Sequence, residues 1–281
     1  MKILIIGKYH HKNEKGIIMI CEYLKYEYKF GSKEDIQNYD VILMPTDPIN
    51  TSLYPTKKFI FGPHFSVFPD HKLSNIYNKN NNSIYIQPSK WVTEIKSWNN
   101  INKILPLKVF CFPVDTNTFK PVTEERHKVF IYFKKRKQSE LSFITTFLKT
   151  KNIDYHIFDY TKRYNEKDYL KYLQDSKYGI IIGRHESQGF AIEEALSCDV
   201  PLIIWNVSSM SQEEGCNYPT IPATIIPYWN EKCGEYFYKQ TEFELTYNKF
   251  IDNLHTYKPR EFILNNLSCE KCAKKFEILI S

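Results

Sequence analysis

The fold of this chain is decided by the stretch Arg184-His185-Glu186-Ser187-Gln188-Gly189-Phe190-Ala191-Ile192-Glu193-Glu194-Ala195-Leu196-Ser197-Cys198-Asp199-Val200-Pro201. Short apolar runs rich in β-branched residues, Tyr178–Ile182 and Val200–Trp205, flank it and predict two buried strands. Between them, Phe190–Ser197 is composed of helix formers and predicts a helix. Gly189 stands at the loop-to-helix junction, where backbone N–H groups point at an anion if one binds. The stretch therefore predicts a strand–loop–helix–strand unit that carries a binding site.

The rest of the chain repeats this alternation. Further strands are predicted at 2–6, 41–44, 58–61, 84–87, 104–112, 129–133, 155–158 and 224–226, and further helices at 17–28, 141–149, 167–173, 242–255 and 267–279. Strands that alternate with helices indicate parallel α/β domains. We predict two Rossmann-like domains joined near residues 113–121: residues 1–117, with 260–281 packing back on them, and residues 118–259.

Composition places the chain among ordinary globular proteins. It has 281 residues, 42% hydrophobic and 25% charged, with a formal net charge of +6. A positive balance favours anionic partners, although scattered solvated lysines account for it equally well. The sequence has no long basic block with interleaved aromatic residues, so nucleic acid is not an expected partner.

The cysteine pattern favours a reducing compartment, and the hydropathy pattern predicts no membrane span. Seven cysteines form no regular framework, and Cys269-x-x-Cys272 has no second pair at zinc-site spacing. No apolar run approaches the roughly 20 residues of a membrane span. The opening apolar run, Met1–Gly7, is too short for the core of a signal peptide. We expect a cytoplasmic protein without a metal, and leave peripheral membrane association open.

Two further features mark the carboxyl ends of predicted strands, where ligands bind in open α/β sheets. The run Lys134-Lys135-Arg136-Lys137 follows strand 129–133, where cations suit a diphosphate; a solvated charge run is the alternative. His64 follows strand 58–61, so a role in a cleft and a structural hydrogen bond both stay open. No G-x-G-x-x-G is present, so a dinucleotide fingerprint is absent.

The central stretch, with Glu186, Gly189, Glu194 and Pro201, resembles the E-x7-E signature of retaining GT-B glycosyltransferases of the family 4 type. Phe112–Pro121 is similar to the interdomain linker of that family, except that a proline precedes Val114 where a glycine is usual. Pro88–Val92 is similar to its N-S-x-W segment. The resemblance implies two Rossmann-like domains that face a central cleft. The first domain is shorter than usual and lacks the glycine-rich loop.

The resemblance also implies roles for individual residues. Glu186 would contact hydroxyls of the donor sugar, and Glu194 would bind the ribose of the nucleotide. The backbone N–H groups of Gly189 and Phe190 would meet the diphosphate or the sugar. His64 matches the cleft histidine of the family loosely. Cations of the 134–137 run would hold the diphosphate, although the family spacing is not reproduced; the predicted donor-binding cations are Lys134, Lys135, Arg136 and, in the same crevice, Arg184.

Spacing argues against a hydrolase. If Glu186–Glu194 were entirely helical, its ends would lie about 12 Å apart at a rise of 1.5 Å per residue. The carboxyls of a glycosidase pair stand about 5 to 9.5 Å apart, so paired acid–base hydrolysis is disfavoured. Cations and a helix N-terminus can stabilise a leaving diphosphate without metal, and no Asp-x-Asp motif is present.

We therefore predict a retaining, metal-independent glycosyltransferase. It would take a UDP- or GDP-linked sugar as donor, use no further cofactor, and glycosylate a carbohydrate, a lipid-linked or a protein-linked acceptor. Alternatives are another GT-B enzyme, such as a nucleotide-sugar epimerase or a phosphorylase, and a non-catalytic nucleotide-sugar-binding protein. A phosphorylase that uses pyridoxal phosphate would be much longer than this chain.

Overall fold

A computed structural model describes residues 1–45, 49–69, 82–122, 125–162 and 164–281. The chain divides into two compact units. The first contains Met1–Pro113 and Leu267–Ser281, and the second contains Val114–Asn266. The division thus falls four residues before the predicted boundary, and only residues 267–281 of the predicted returning segment belong to the first unit.

The first unit is built on a six-stranded sheet with the order β2-β1-β3-β4-β5-β6, in which every pairing is parallel. Its strands are β1 (Lys2–Ile6), β2 (Glu27–Gly31), β3 (Val41–Met44), β4 (Lys58–Phe61), β5 (Ile84–Gln87) and β6 (Leu107–Val109). Its helices are α1 (His11–Tyr23), α2 (Lys90–Thr93), α3 (Asn99–Asn102) and α9 (Cys269–Ile280). The central strands β1, β3, β4 and β5 are almost completely buried, as expected for a parallel sheet covered on both faces.

The second unit has a five-stranded parallel sheet with the order β11-β10-β9-β7-β8. Its strands are β7 (Lys128–Phe133), β8 (His156–Asp159), β9 (Ser176–Ile182), β10 (Leu202–Trp205) and β11 (Gly234–Phe237). Its helices are α4 (Gln138–Thr150), α5 (Glu166–Gln174), α6 (Phe190–Ser197), α7 (Phe243–Asp252) and α8 (Pro259–Asn266). A core of aliphatic and aromatic side chains from β7, β9 and β10 packs against α4 and α7.

Several sequence predictions of elements are wrong in detail. Residues 27 and 28, predicted as the end of the helix 17–28, belong to the edge strand β2, and residues 224–226 lie outside the strands. The strand predicted at 104–112 is limited to β6, and Pro259 begins the helix α8, which the sequence did not predict. Proline is well suited to the first turn of a helix, where its missing N–H is not needed.

Candidate functional site

The candidate site lies at the carboxyl edge of the second sheet, where β7 and β9 end side by side. Phe133 pairs with Ile182, and the backbone N–H of Lys134 donates to the Ile182 carbonyl at 3.0 Å. The chain then leaves β9 through residues 183–189. This register brings the start of the basic run next to the Glu186 loop. Ligand crevices of open parallel sheets form at this edge.

A nearly buried ion pair joins the two loops. Lys134 Nζ lies 2.7 Å from Glu186 Oε1, and the two side chains are only 8% and 15% exposed. The ring of Tyr160 lies on the ammonium group, 4.4 Å from Nζ to the ring centroid. The Glu186 backbone N–H donates to the Thr224 carbonyl, which fixes the loop on its other side. Lys134 and Glu186 therefore form an ion pair whose position the fold fixes.

Arg136 has a different environment from Lys134. Its guanidinium forms a two-pronged ion pair with Glu140 and also donates to the carbonyls of Gly183 and Trp205, at the ends of β9 and β10. These contacts tie two strand ends to α4. Lys135 adopts a left-handed backbone with φ of 54°, and its carbonyl accepts from the Glu214 N–H at 2.8 Å. The structure thus pairs Lys134 with Glu186, whereas the guanidinium of Arg136 is bound by Glu140 and by two backbone carbonyls at the ends of strands.

Arg184 and His185 meet a buried carboxylate that sequence reasoning did not single out. Glu213 Oε2 lies 3.2 Å from Arg184 Nη1 and 3.6 Å from His185 Nδ1. Burial, and after it the charge of Arg184, lowers the pKa of His185 to about 4, against the opposing effect of Glu213. His185 is therefore neutral at physiological pH. Glu213 fastens the segment after β10 to the loop that carries Glu186.

Gly189 begins α6 as its N-cap, with φ of 95° and ψ of 44°. Its carbonyl accepts the first helical hydrogen bonds, from the N–H groups of Ile192 and Glu193 at 2.9 and 3.0 Å. The left-handed conformation is the reason for glycine at this junction. Gln188 Nε2 donates to Glu193 Oε2 at 3.0 Å, and both side chains are buried. Glu193 therefore braces the loop, and the glutamate that follows it is the second acid of the site.

Glu194 is only 6% exposed, and its charge acts on two tyrosines that follow β8. Burial raises the pKa of Tyr164 and of Tyr169 above their ordinary values, and the charge of Glu194 raises both further. Tyr169 Oη donates to the Ala191 carbonyl at 2.9 Å, which ties α5 to the first turn of α6. The ring of Tyr132, on β7, packs 6.0 Å from that of Tyr164. The charge of Glu194 therefore lies near two tyrosines that follow β8, whereas Glu186 is paired with a cation.

His64 belongs to the first unit and follows β4. Its Nδ1 lies 3.3 Å from the Tyr85 hydroxyl, and its ring stands edge-on to Trp98 at 6.3 Å. Gly62 precedes it with φ of 79°, and a Cβ there would lie 2.5 Å from the Ile86 carbonyl oxygen, so glycine is required. His64 is half-buried at the carboxyl edge of the first sheet, and both sequence interpretations of this histidine stay predictions.

Sequence reasoning missed three parts of this site: Glu213, the tyrosines around Glu194, and Asn206. Asn206 Oδ1 accepts from the Val207 N–H, the Ile225 N–H and the Thr224 hydroxyl, and so shapes the loop against which Gly189 packs. One sequence signal pointed to this edge of the sheet. Asn206 follows β10 and Tyr160 follows β8, and ligands bind at the carboxyl ends of parallel strands. Glu213 is distant in sequence from every motif.

Over the described ranges of the chain, no group of three or more histidine, cysteine, aspartate or glutamate side chains is arranged to hold a metal ion. In the same ranges, every helix is too short or too polar to span a lipid bilayer.

Comparison with known proteins identifies the architecture. No protein-family model and no curated protein matches the chain. Among solved structures, sucrose-phosphate synthase from Thermosynechococcus elongatus superposes with a TM-score of 0.58 at 9% identity, covering 99% of this chain and 98% of that one. The chain has the GT-B fold.

Two other structures support this assignment. The catalytic domain of starch synthase IV from Arabidopsis thaliana, solved with ADP and acarbose, gives a TM-score of 0.55 at 10% identity over 98% of this chain and 78% of that one. TarM gives 0.52 at 13% identity over 86% and 54%. Identities this low show a common fold and leave the activity of this chain to be argued from its own site.

Proposed function

We propose that this protein is a retaining glycosyltransferase that moves a sugar from a nucleotide-sugar donor, UDP- or GDP-linked, to an acceptor hydroxyl. The observation that carries the proposal is the pairing of Lys134 with Glu186 beside the N-terminus of α6, with Glu194 one helix turn farther along. A cation and a helix N-terminus suit a diphosphate, and two carboxylates suit sugar hydroxyls.

The proposed roles follow the geometry of each group. Lys134 and the backbone N–H groups of Gly189 and Phe190 hold the diphosphate, while Glu186 accepts hydrogen bonds from hydroxyls of the donor sugar. Glu194 accepts from the ribose hydroxyls. Arg136 positions the site by fixing the ends of β9 and β10, so its effect on the donor is indirect.

In the proposed reaction the bond between the anomeric carbon and the phosphate oxygen breaks, and the acceptor oxygen bonds to the same face of the sugar. The acceptor proton passes to the leaving phosphate, so neither glutamate needs to transfer a proton. The transition state resembles an oxocarbenium ion. Its departing negative charge is stabilised by Lys134 and the α6 N-terminus, without a metal ion.

Isothermal titration with UDP, GDP, ADP and CDP tests the donor assignment. We expect UDP or GDP to bind, and Glu194→Ala to weaken that binding at least tenfold, because ribose hydroxyls lose a charged acceptor worth about 1.5–3 kcal/mol. Glu244→Ala, an exposed glutamate on α7 of the same unit, is the matched control. Unchanged affinity in Glu194→Ala would refute the ribose role.

Turnover separates the proposed enzyme from its alternatives. A panel of UDP- and GDP-sugars should release free nucleoside diphosphate when the enzyme turns over, with or without an added acceptor. An epimerase would instead interconvert two nucleotide sugars and release none. Nucleotide binding with no conversion of any nucleotide sugar would support the non-catalytic binding protein.

A further inference from the structure

Two buried cysteines of the first unit lie close together. Cys111 follows β6, Cys272 belongs to α9, and their Sγ atoms are 4.0 Å apart. The two residues are 2% and 0% exposed. The sulfur atoms of a disulfide lie about 2.05 Å apart, so these two would have to approach by about 2 Å, a movement on the scale of a side-chain rotation. The two thiols are therefore close enough to be joined.

The packing of α9 holds the two thiols in place. Phe110, which precedes Cys111, has its ring 5.8 Å from that of Phe276 on α9. Cys272 and Phe276 are four residues apart, so they lie on the same face of the helix, and both are buried. The aromatic contact therefore fixes α9 against the segment that carries Cys111, one helical turn away from the sulfur atoms.

A lysine of the same helix lies beside one of the thiols. Lys275 Nζ is 3.5 Å from Cys111 Sγ. An adjacent ammonium group stabilises the thiolate, which is the form of cysteine that oxidants attack most readily. Because Lys275 is itself exposed, its contact with Cys111 also shows that this sulfur lies close to the surface. Cys111 therefore has the environment of the reacting thiol, and Cys272 that of its partner.

We propose that Cys111 and Cys272, with Lys275 beside them, form a dithiol that hydrogen peroxide converts to a disulfide. The Cys111 thiolate attacks one peroxide oxygen and becomes a sulfenic acid, and the hydroxide that leaves takes up a proton to form water. The Cys272 thiol then attacks the sulfenic sulfur, which forms the S–S bond, and its proton departs with the hydroxyl as a second water. The two thiols lose two electrons and one peroxide gains them. A small thiol such as glutathione reverses the oxidation by exchange.

The disulfide would join the two parts of the chain on either side of the second unit. Cys111 precedes the boundary after Pro113, and Cys272 follows the boundary before Leu267, so the closed loop would contain all of Val114–Asn266. Helix α9 would then be held on the first unit by a covalent bond as well as by packing. Closing so long a loop removes conformational freedom from the unfolded chain, so the oxidised protein should resist unfolding more than the reduced one.

The test treats the full-length protein with hydrogen peroxide and follows the product on a non-reducing gel and by mass spectrometry of its peptides. We expect a faster-migrating species that dithiothreitol removes, a cross-linked peptide pair containing Cys111 and Cys272, and a higher urea midpoint for the oxidised protein. Lys275→Gln should slow the reaction about two- to threefold, because the thiolate fraction falls while the nucleophilicity of the sulfur rises. Lys274→Gln is the matched control, since Lys274 is the neighbouring residue but pairs with Glu270 at 2.6 Å.

Cys272→Ala should abolish the fast-migrating species, whereas Cys269→Ala, on the same helix, should retain it. A disulfide between Cys269 and Cys272, or oxidation of Cys111 that ends at the sulfinic acid, would refute the pairing. Equal rates in the two lysine variants would refute the role of Lys275. If Cys272→Ala does not fold, the peptide map of the wild-type protein and the two lysine variants still decide the question. Nucleotides take no part in these measurements, so a negative result leaves the proposed function untouched.

Discussion

Gly189 illustrates how much one residue decides in this protein. Its φ of 95° lets the chain turn from the Glu186 loop into α6, and an L side chain adopts that conformation only with strain. A Cβ at this position would meet its nearest neighbours at 3.5 Å, which is ordinary contact distance. The cost of a substitution is therefore conformational and not steric.

We predict that Gly189→Ala lowers the free energy of unfolding by about 1–2 kcal/mol and weakens nucleotide binding, because the first N–H groups of α6 shift. Urea titration and calorimetry measure the two effects. Gly183→Ala is the control, since Gly183 has no left-handed backbone and its nearest contacts lie at 3.7–3.8 Å. Equal stability of both variants would contradict the assignment of strain to Gly189.

His185 gives the protein a pH dependence with a definite sign. Its pKa is about 4 in the folded chain, against about 6.5 when unfolded. As the pH falls below about 6.5, the unfolded chain binds a proton that the folded chain rejects, so stability falls with it. Above about pH 6.5 the residue contributes no slope.

We predict that the free energy of unfolding falls by about 2 kcal/mol between pH 7.5 and pH 5 on account of His185. His185→Gln should remove that part of the slope, because the amide does not titrate. Urea unfolding of both proteins at several pH values measures the difference. Parallel pH profiles for the two proteins would show that His185 does not titrate as described.

At the scale of elements, α9 shows how the end of the chain completes the first unit. Phe276 is 3% exposed, and its ring packs 5.8 Å from that of Phe110, whereas Ile278 on the same helix is 77% exposed. Cys272 and Ala273 are also fully buried on the inner face. The helical period of the sequence therefore separates a packed face from a solvated one.

We predict that Phe276→Ala destabilises the protein by about 3–5 kcal/mol, the usual range for removing a buried phenylalanine side chain. Ile278→Ala should change stability by no more than about 0.5 kcal/mol. Chemical denaturation of the two variants compares opposite faces of one helix. Similar losses in both would mean that α9 is not packed as described.

At the scale of the whole molecule, the residues assigned to the nucleotide belong to one unit. Lys134, Glu186 and Glu194 all lie within Val114–Asn266, while His64 lies in the first unit. A ligand that binds only the folded state stabilises it by RT ln(1 + [L]/Kd), about 2.7 kcal/mol at a hundredfold excess over Kd. Nucleotide binding should therefore leave a local signature in the second unit.

We predict that a saturating nucleoside diphosphate slows amide hydrogen exchange most at residues 134–140 and 184–194. Exchange in β1 and α1 of the first unit should change least. Mass spectrometry of peptic fragments, with and without nucleotide, provides the map. Protection confined to the first unit would contradict the site.

Much of this organisation was predictable from sequence, and the reasons are local. Strands β1, β3, β4 and β5 were predicted with their observed bounds, because each is a short buried apolar run. The helix α6 was predicted residue for residue. The edge strands β2 and β11 were missed, since half of a strand at a sheet edge faces water and its sequence lacks an apolar run.

The sequence alone determined the parallel α/β fold and the placing of two acids around Gly189, because hydrophobic periodicity and glycine conformation are local properties. Tertiary structure alone decided which cation meets Glu186. Lys134, Lys135 and Arg136 are neighbouring cations of one basic run. The register of β7 against β9 places Lys134 beside the Glu186 carboxylate, whereas Arg136 forms its ion pair with Glu140. Glu213 and the tyrosines around Glu194 reach the site only through chain segments distant in sequence. Such contacts depend on packing between elements, which no short motif encodes.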